Sequence, residues 1–385
     1  MPKTRPVNEA LFSLALSHSP QMPIDPKLGS LLSEADMHIP QGVQVISDTH
    51  FRVNFHAPTA TEVALRTFTG SIPLSKQDNG VWTTELEIGQ GGLRPLFFLV
   101  DGVSVLNPMA PIGFGASVAT NMVDLPNTEE DFYHLKEVAH GAVSREYYHS
   151  SVTGRYESCL VYTPPGYMKG GSETYPVLYL QHGHGENEQC WVNQGKVHFI
   201  MDNLLAQDKA RPCIIVMNNG MVQQDTPDGR RVNALLLEHL LVTDCIPFIE
   251  KTYRVKTDRQ SRAMAGLSMG SMQTSMTTLA HPQLFAWAGV FSGFVQPLPS
   301  IAKEREYLSA LDDAQKFCDD FRLFFRAIGT ADPFCNMFEQ DSLLMEQKGL
   351  SPDQCSAHII RTYPGSHDWN VWRRCVRDFL SLLFV

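Results

Sequence analysis

The sequence predicts an α/β domain, a mostly parallel sheet with helices on both faces, preceded by a small all-β sandwich. Three observations predict it. Between Val43 and Val100 the hydrophobic period is two, as short half-buried strands require. Beyond residue 143, apolar runs of strand length alternate with helical stretches, the pattern of parallel strands joined by crossover helices. The third is Gly266-Leu267-Ser268-Met269-Gly270. The small or apolar Ala263–Ala265 precedes it and the helix-compatible Ser271–Ala280 follows, stopped at His281-Pro282. Strand, tight turn and helix together expose a serine hydroxyl at the carboxyl edge of a sheet. Gly266 and Gly270 fit a turn with little room for Cβ atoms.

In chain order, Pro20, Pro23, Pro26 and Pro40 break up residues 1–40, which read as an extended lead. Residues 41–126 form the sandwich. Its strands centre on Val43 and Val45, on Phe51, Val53 and Phe55, on Val63–Leu65, Trp82–Leu86 and Leu96–Val100, with Asp78-Asn79-Gly80 as a turn. Trp82, in an alternating strand, reads as core. Pro108–Phe114 reads as an apolar loop, too irregular for a strand, that is covered by a neighbour. The acidic, polar residues 127–142 read as a linker. In residues 143–385, Tyr175–Leu180, Cys213–Met217, Phe285–Phe291, Leu323–Ile328 and His358–Tyr363 read as strands, and Leu236–Tyr253 as a helix. Asp368–Phe384 reads as an amphipathic helix burying Trp372, Cys375, Val376, Phe379, Leu380 and Leu383.

Length and composition narrow the function. At 385 residues, 43% hydrophobic and 19% charged, the chain has room for two domains with ample core. A formal charge of −10 argues against nucleic acid or an anionic membrane as the main partner. No apolar run approaches the roughly 20 residues of a membrane span. The first residues, MPKTRPVNEALFSLALSHSP, make a poor signal peptide because Ser13, Ser17 and His18 interrupt the apolar patch. As written the chain reads as cytoplasmic, and as secreted if a signal was trimmed. The eight cysteines are irregularly spaced, with no C-x-x-C, and read as single buried thiols.

The strand ends carry the chemistry, as in open parallel sheets generally. Asp332 follows Leu323–Ile328 in Gly329-Thr330-Ala331-Asp332-Pro333, and His367 follows His358–Tyr363 in Pro364-Gly365-Ser366-His367-Asp368. The order Ser268, Asp332, His367 is the nucleophile–acid–base order of α/β-hydrolases. A serine hydroxyl needs a base to take its proton, and the histidine needs a carboxylate to set its tautomer. The base has to be neutral, so acylation is expected to fail toward acid pH. Asp368 competes for the acid role but suits the start of the last helix better. Gln181-His182-Gly183-His184-Gly185 leaves Tyr175–Leu180 as a loop able to aim backbone N–H groups at an oxyanion. By that analogy the donors are the amides of Met269 and His184, with Gly185 as the alternate. His182, His184 and Glu186 are followed by no further ligand at a metal-site spacing, so no metal and no cofactor is expected. Gly185, Met221, Phe334 and Trp369 are the candidate substrate contacts, the last three with Met269 as an apolar wall.

The matching stretches are VYTPPGY at 161–167, YPVLYLQHGHGENEQCW at 175–191, IPFIEKTYRV at 246–255, RAMAGLSMGS at 262–271 and GSHDWNVWR at 365–373. Through them residues 143–385 resemble the esterase D-like branch of the α/β-hydrolases, notably its feruloyl and carbohydrate esterases. The weaker HAPTATEVAL, GVW and VDGV resemble an immunoglobulin-like, carbohydrate-binding-type module. The chain departs from the branch at Gln181, where an apolar residue is usual, and at Ser271, which replaces a frequent glycine. The resemblance implies a serine carboxylesterase without cofactor, acting on hydroxycinnamoyl esters of plant-wall sugars. Its substrate would be a small ester or an oligosaccharide ester. The alternatives are an acetyl or other short-acyl carbohydrate esterase, a siderophore-ester hydrolase, and a non-catalytic carbohydrate-binding protein on the same scaffold. A homo-oligomer stays open. The N-terminal module, with few aromatic candidates, is expected to support the hydrolase, walling one side of the acyl pocket.

Overall fold

The computed structural model describes residues 41–67, 69–115, 117–127, 129–297 and 306–385. The expected lead over residues 1–40 lies outside them. The chain divides into two compact units between Lys136 and Glu137, inside the stretch read as a linker.

The first unit holds β1 (Val43–Val45), β2 (His50–His56), β3 (Val63–Arg66), β4 (Ser71–Pro73) and β5 (Ser75–Lys76). It continues with β6 (Val81–Glu87), β7 (Gly92–Val100), β8 (Val103–Val105), β9 (Ile112–Gly115) and β10 (Val118–Leu125). One sheet runs β1-β2-β6-β5 and the other β4-β3-β7-β10-β9, with β8 beside β7. Phe51, Val53, Phe55 and Trp82 from the first share a core with Val63, Leu65, Phe98 and Val123 from the second. Trp82 is buried, and its indole N–H donates to the Ala57 carbonyl at 2.9 Å, so it serves the core. Pro108–Phe114 departs from expectation. Met109 and Ala110 are buried, Ala110 within the sandwich's own core, and Ile112–Gly115 is strand β9, paired antiparallel with β10. Its partner is supplied from the next strand, which the irregular local pattern did not reveal. Within residues 127–142, Asp131–Tyr133 forms a single 3₁₀ turn with Tyr133 buried.

The second unit is built on one sheet. Its strands are β11 (Ala142–Ser150), β12 (Arg155–Thr163), β13 (Val177–Gln181) and β14 (Ile214–Asn218), then β17 (Arg262–Leu267), β18 (Trp287–Phe291), β19 (Leu323–Gly329) and β20 (His358–Tyr363). The intervening β15 (Gln223–Thr226) and β16 (Gly229–Val232) make a separate hairpin. The order is β11-β12-β14-β13-β17-β18-β19-β20. Only β12 in this sheet runs against the others, pairing antiparallel with both β11 and β14; along the rest of that order, from β14 through β13 to β20, every pair is parallel. The loops after β13, β17, β19 and β20 therefore leave from one edge. Alternation sends Val290 and Phe324 to one face, with Leu279 of the helix Met269–Ala280, and Phe291 and Phe325 to the other. There they meet Phe379 of the helix Trp369–Leu382, at ring-centroid distances of 5.7 and 5.9 Å. Trp372, Cys375, Val376, Phe379, Leu380 and Leu383 are all buried, as their spacing predicts.

Strands β11, β12, β15 and β16 are not among those read from the sequence, and two of its readings are corrected. The helix expected over Leu236–Tyr253 is interrupted by a π turn at Leu241–Cys245, just before Pro247. Proline has no N–H to continue the ladder, so the helix widens there. The cysteines are not all single thiols: Cys318 and Cys355 form a disulfide across 37 residues of sequence, while Cys159, Cys190, Cys213, Cys245, Cys335 and Cys375 are free. The pairing was hidden because proximity of the two sulfurs is set by the fold. Closing such a loop stabilises by about 3–4 kcal/mol in the chain-entropy account. Reduction is expected to lower Tm by roughly 5–15 °C. Melting curves with and without dithiothreitol check this, and the Cys318→Ser, Cys355→Ser double variant should be insensitive to the reductant.

Candidate active site

Ser268 sits between β17 and the helix Met269–Ala280 with φ 52° and ψ −117°. A non-glycine residue there carries strain of about 1–3 kcal/mol. Its N–H donates to the Phe291 carbonyl at 2.9 Å, which fixes the turn against the neighbouring strand. The flanking glycines are needed sterically. A Cβ on Gly266 would lie 2.4 Å from the Gly270 carbonyl oxygen, and one on Gly270 2.5 Å from that of His182. Ser271, noted as a departure, is fully buried; its hydroxyl donates to the Ser268 carbonyl at 2.5 Å and accepts from Phe294 N–H at 3.1 Å.

The three residues read from the strand ends converge. His367 Nε2 lies 3.0 Å from Ser268 Oγ, and His367 Nδ1 lies 2.9 Å from Asp332 Oδ2. The Asp332 side chain is 0% exposed, and its other oxygen accepts from Phe334 N–H at 2.9 Å. Burial works against the Asp332 carboxylate, yet the hydrogen bond to His367, its charge and the Phe334 N–H together hold it below the ordinary range. Asp368 is elsewhere employed: its carboxylate caps the last helix by accepting from Asn370 and Val371 N–H at 2.9 and 3.2 Å.

The loop after β13 is shaped by His182, whose part the sequence reading missed. His182 is fully buried, and its Nε2 accepts from Gly220 N–H at 2.9 Å. Nδ1 therefore carries the proton and donates to the Gly183 carbonyl at 2.8 Å. Both ring nitrogens are thus engaged, which removes His182 from any metal-ligand role. Glu186 N–H also donates to the Gly183 carbonyl, at 3.3 Å. With that oxygen held on one side, the trans peptide turns the His184 N–H the opposite way. Neither His184 N–H nor Met269 N–H has an acceptor among the described residues. Gly185, the alternate donor, follows with φ 73°.

The candidate substrate contacts separate. Phe334 is part-exposed, edge-on to the His367 ring at 4.9 Å and to Phe294 at 5.1 Å. Met221 is part-exposed in the loop after β14, next to the Gly220 that holds His182. Trp369 does not offer an open wall. It is 6% exposed, packed edge-on against Trp191 and Trp372 at 5.1 and 5.2 Å, with its indole N–H donated to Glu186. The exposed-loop composition of GSHDWNVW concealed that the helix start turns this ring inward. Gln181 is fully buried and its side-chain amide has no partner among the described residues; its main-chain carbonyl accepts from Trp191 Nε1 at 2.9 Å. Among the described residues there is no group of three or more metal-ligating side chains and no helix long and apolar enough to cross a membrane.

Buried histidines make the unit acid-sensitive. Burial pushes His358 down to about 4 and His198 to about 3, and lowers His182 as well. Unfolded histidines take up protons below about 6.5, whereas these stay neutral when folded. Folding stability is therefore present near neutrality and lost as pH falls from about 6.5 toward 4, by on the order of 3 kcal/mol for His358 alone. Urea midpoints measured at pH 7.0 and 4.5 check this, and His358→Gln should reduce the difference while His198 and His182 keep the remainder.

Comparison with known proteins supplies a family and a fold. An endo-1,4-beta-xylanase/feruloyl esterase of Xylanibacter ruminicola is 38% identical over 353 residues, 88% of this chain. The chain spans only 45% of that relative's length. A solved ferulic acid esterase superposes with TM-score 0.54 and 25% identity, covering 63% of this chain and 98% of its own. The enterobactin esterase of Shigella flexneri superposes with TM-score 0.61 over 91% of this chain and 98% of its own, at 14% identity, a likeness of fold alone. These neighbours share the α/β-hydrolase fold. Residues 150–378 match the model of a family described as "Putative esterase". Since that match takes in more than half of the chain, the protein belongs to the Esterase family.

Proposed function

We propose that the protein is a serine carboxylesterase that hydrolyses hydroxycinnamoyl esters of plant-wall carbohydrates through an acyl-enzyme. The observation that carries the reading is the unbroken line Asp332–His367–Ser268, with contacts of 2.9 and 3.0 Å at a strained strand-to-helix turn. His367 Nε2 takes the Ser268 proton as Oγ attacks the ester carbonyl, and Asp332 holds the Nδ1 proton in place. The negative charge that develops on the carbonyl oxygen is met by the N–H groups of Met269 and His184, which have no competing acceptor among the described residues. Collapse returns the proton from His367 to the departing alcohol, and a water then repeats the sequence on the acyl-enzyme. Phe334 beside His367, with Met221, supplies an apolar side for an aromatic acyl group.

The substrate class rests on the xylanase/feruloyl esterase and the ferulic acid esterase named above. The Cys318–Cys355 bond supports the secreted alternative over the cytoplasmic one, since structural disulfides persist in oxidising compartments. A siderophore ester is the second reading, because the enterobactin esterase matches the chain through both units. A panel of methyl ferulate, acetylated xylan and a catecholate siderophore ester tests the choice. The feruloyl reading predicts the highest kcat/KM on methyl ferulate; a preference for either of the others replaces it.

A further inference from the structure

Glu186 lies between the two loops that, on the reading above, carry the oxyanion donor and the base. Its Oε2 accepts from Gly183 N–H at 2.9 Å, in the loop leaving β13. Its Oε1 accepts from the Trp369 indole N–H at 3.0 Å, two residues beyond His367. Glu186 returns a bond of its own, N–H to the Gly183 carbonyl at 3.3 Å, so Gly183 is held at both ends of its backbone. Trp369 is as firmly seated: it packs edge-on against Trp372, whose ring is edge-on to His367 at 5.1 Å. Gly183 itself is packed between the carboxyl and the nucleophile. A Cβ placed on Gly183 would be 3.4 Å from both Glu186 Oε2 and Ser268 Cβ.

We propose that Glu186 is a positioning residue that ties the oxyanion loop to the histidine loop, keeping the His184 N–H and His367 at one spacing about Ser268. The inference rests on the serine-esterase reading. Two N–H donors from separate loops need an acceptor at each end of one short side chain. An ionised carboxylate supplies both, whereas a protonated carboxyl would present its O–H, and a glutamine its NH₂, to one of them. Burial pushes the Glu186 carboxyl up to about 8, against the lowering by the Gly183 and Trp369 donors, so both oxygens accept without a proton once the pH exceeds that value, which is where the variants are compared. A site that only needed filling would be served by an apolar side chain without that desolvation. Because the oxyanion forms only on the way to the transition state, losing the tie acts on kcat and spares substrate binding.

The test uses the full chain with a chromogenic ester, comparing wild type, Glu186→Gln, Trp369→Phe and Ser268→Ala. Trp369→Phe removes the indole donor and keeps a ring, so it reports the tie even if Glu186→Gln fails to fold. The expected result for both is a fall in kcat of about tenfold or more, with KM changed by less than about twofold. The inhibition constant of an aryl boronic acid, which forms a tetrahedral adduct on Ser268, should rise by a similar factor. A lowered Tm with unchanged kcat would overturn the proposal, and so would a raised KM with unchanged kcat. If Ser268→Ala retains activity, the serine-esterase reading itself fails; if it is dead while the two variants turn over normally, only the role of Glu186 fails.

Discussion

Ser268→Ala is expected to abolish ester turnover while leaving the fold intact, with kcat falling on the order of a million-fold. Ser268 Oγ is the atom within 3.0 Å of His367 Nε2, and removing it leaves the base with nothing to activate. The main-chain turn does not depend on that oxygen: Ser268 N–H to Phe291 and the Ser271 hydroxyl to the Ser268 carbonyl both remain. Alanine tolerates the φ of 52° about as badly as serine does, so Tm should stay within a few degrees of wild type. Steady-state kinetics on a chromogenic ester, with circular dichroism melts, measure both halves. Activity above about a hundredth of wild type, far over the residue left when a triad serine is removed, would show that another group is the nucleophile.

Asp332→Asn is expected to cost about 10⁴-fold in kcat with little change in KM. The amide NH₂ would donate to His367 Nδ1, where the carboxylate now accepts at 2.9 Å. The ring would then carry its proton on Nε2, facing Ser268 with a donor where an acceptor is needed. Asp368→Ala is the control that separates the two neighbouring carboxylates. Asp368 caps the last helix through Asn370 and Val371, so its loss should lower stability by about 1 kcal/mol and leave the acid function in place. If Asp368→Ala proved the more damaging to kcat, the acid would have been misassigned.

The sequence by itself determined the elements whose signal is local. The G-x-S-x-G turn, the loops carrying Asp332 and His367, and the capping role of Asp368 each follow from a few adjacent residues. Period and punctuation operate over the same short range. The buried stripe of the last helix, Trp372 to Leu383, was legible for the same reason, since a period of 3.6 is written into consecutive positions. The α/β order of the second unit followed from alternation of such segments. What only the tertiary structure decided depends on which distant segments become neighbours. Strand β9 exists because Val118–Asn121 pairs with it. Cys318 meets Cys355 because the fold brings two separated segments together. Trp369, turned inward by the helix start, is held there by Glu186, 183 residues away in sequence, which accepts a hydrogen bond from its indole N–H. His182, which looked like a metal candidate by composition, is spent on Gly220 and Gly183, and in that position it aims the His184 amide. Residue type limits what a side chain is able to bond, but the bond it makes is chosen by whatever the fold places within about 3 Å of it.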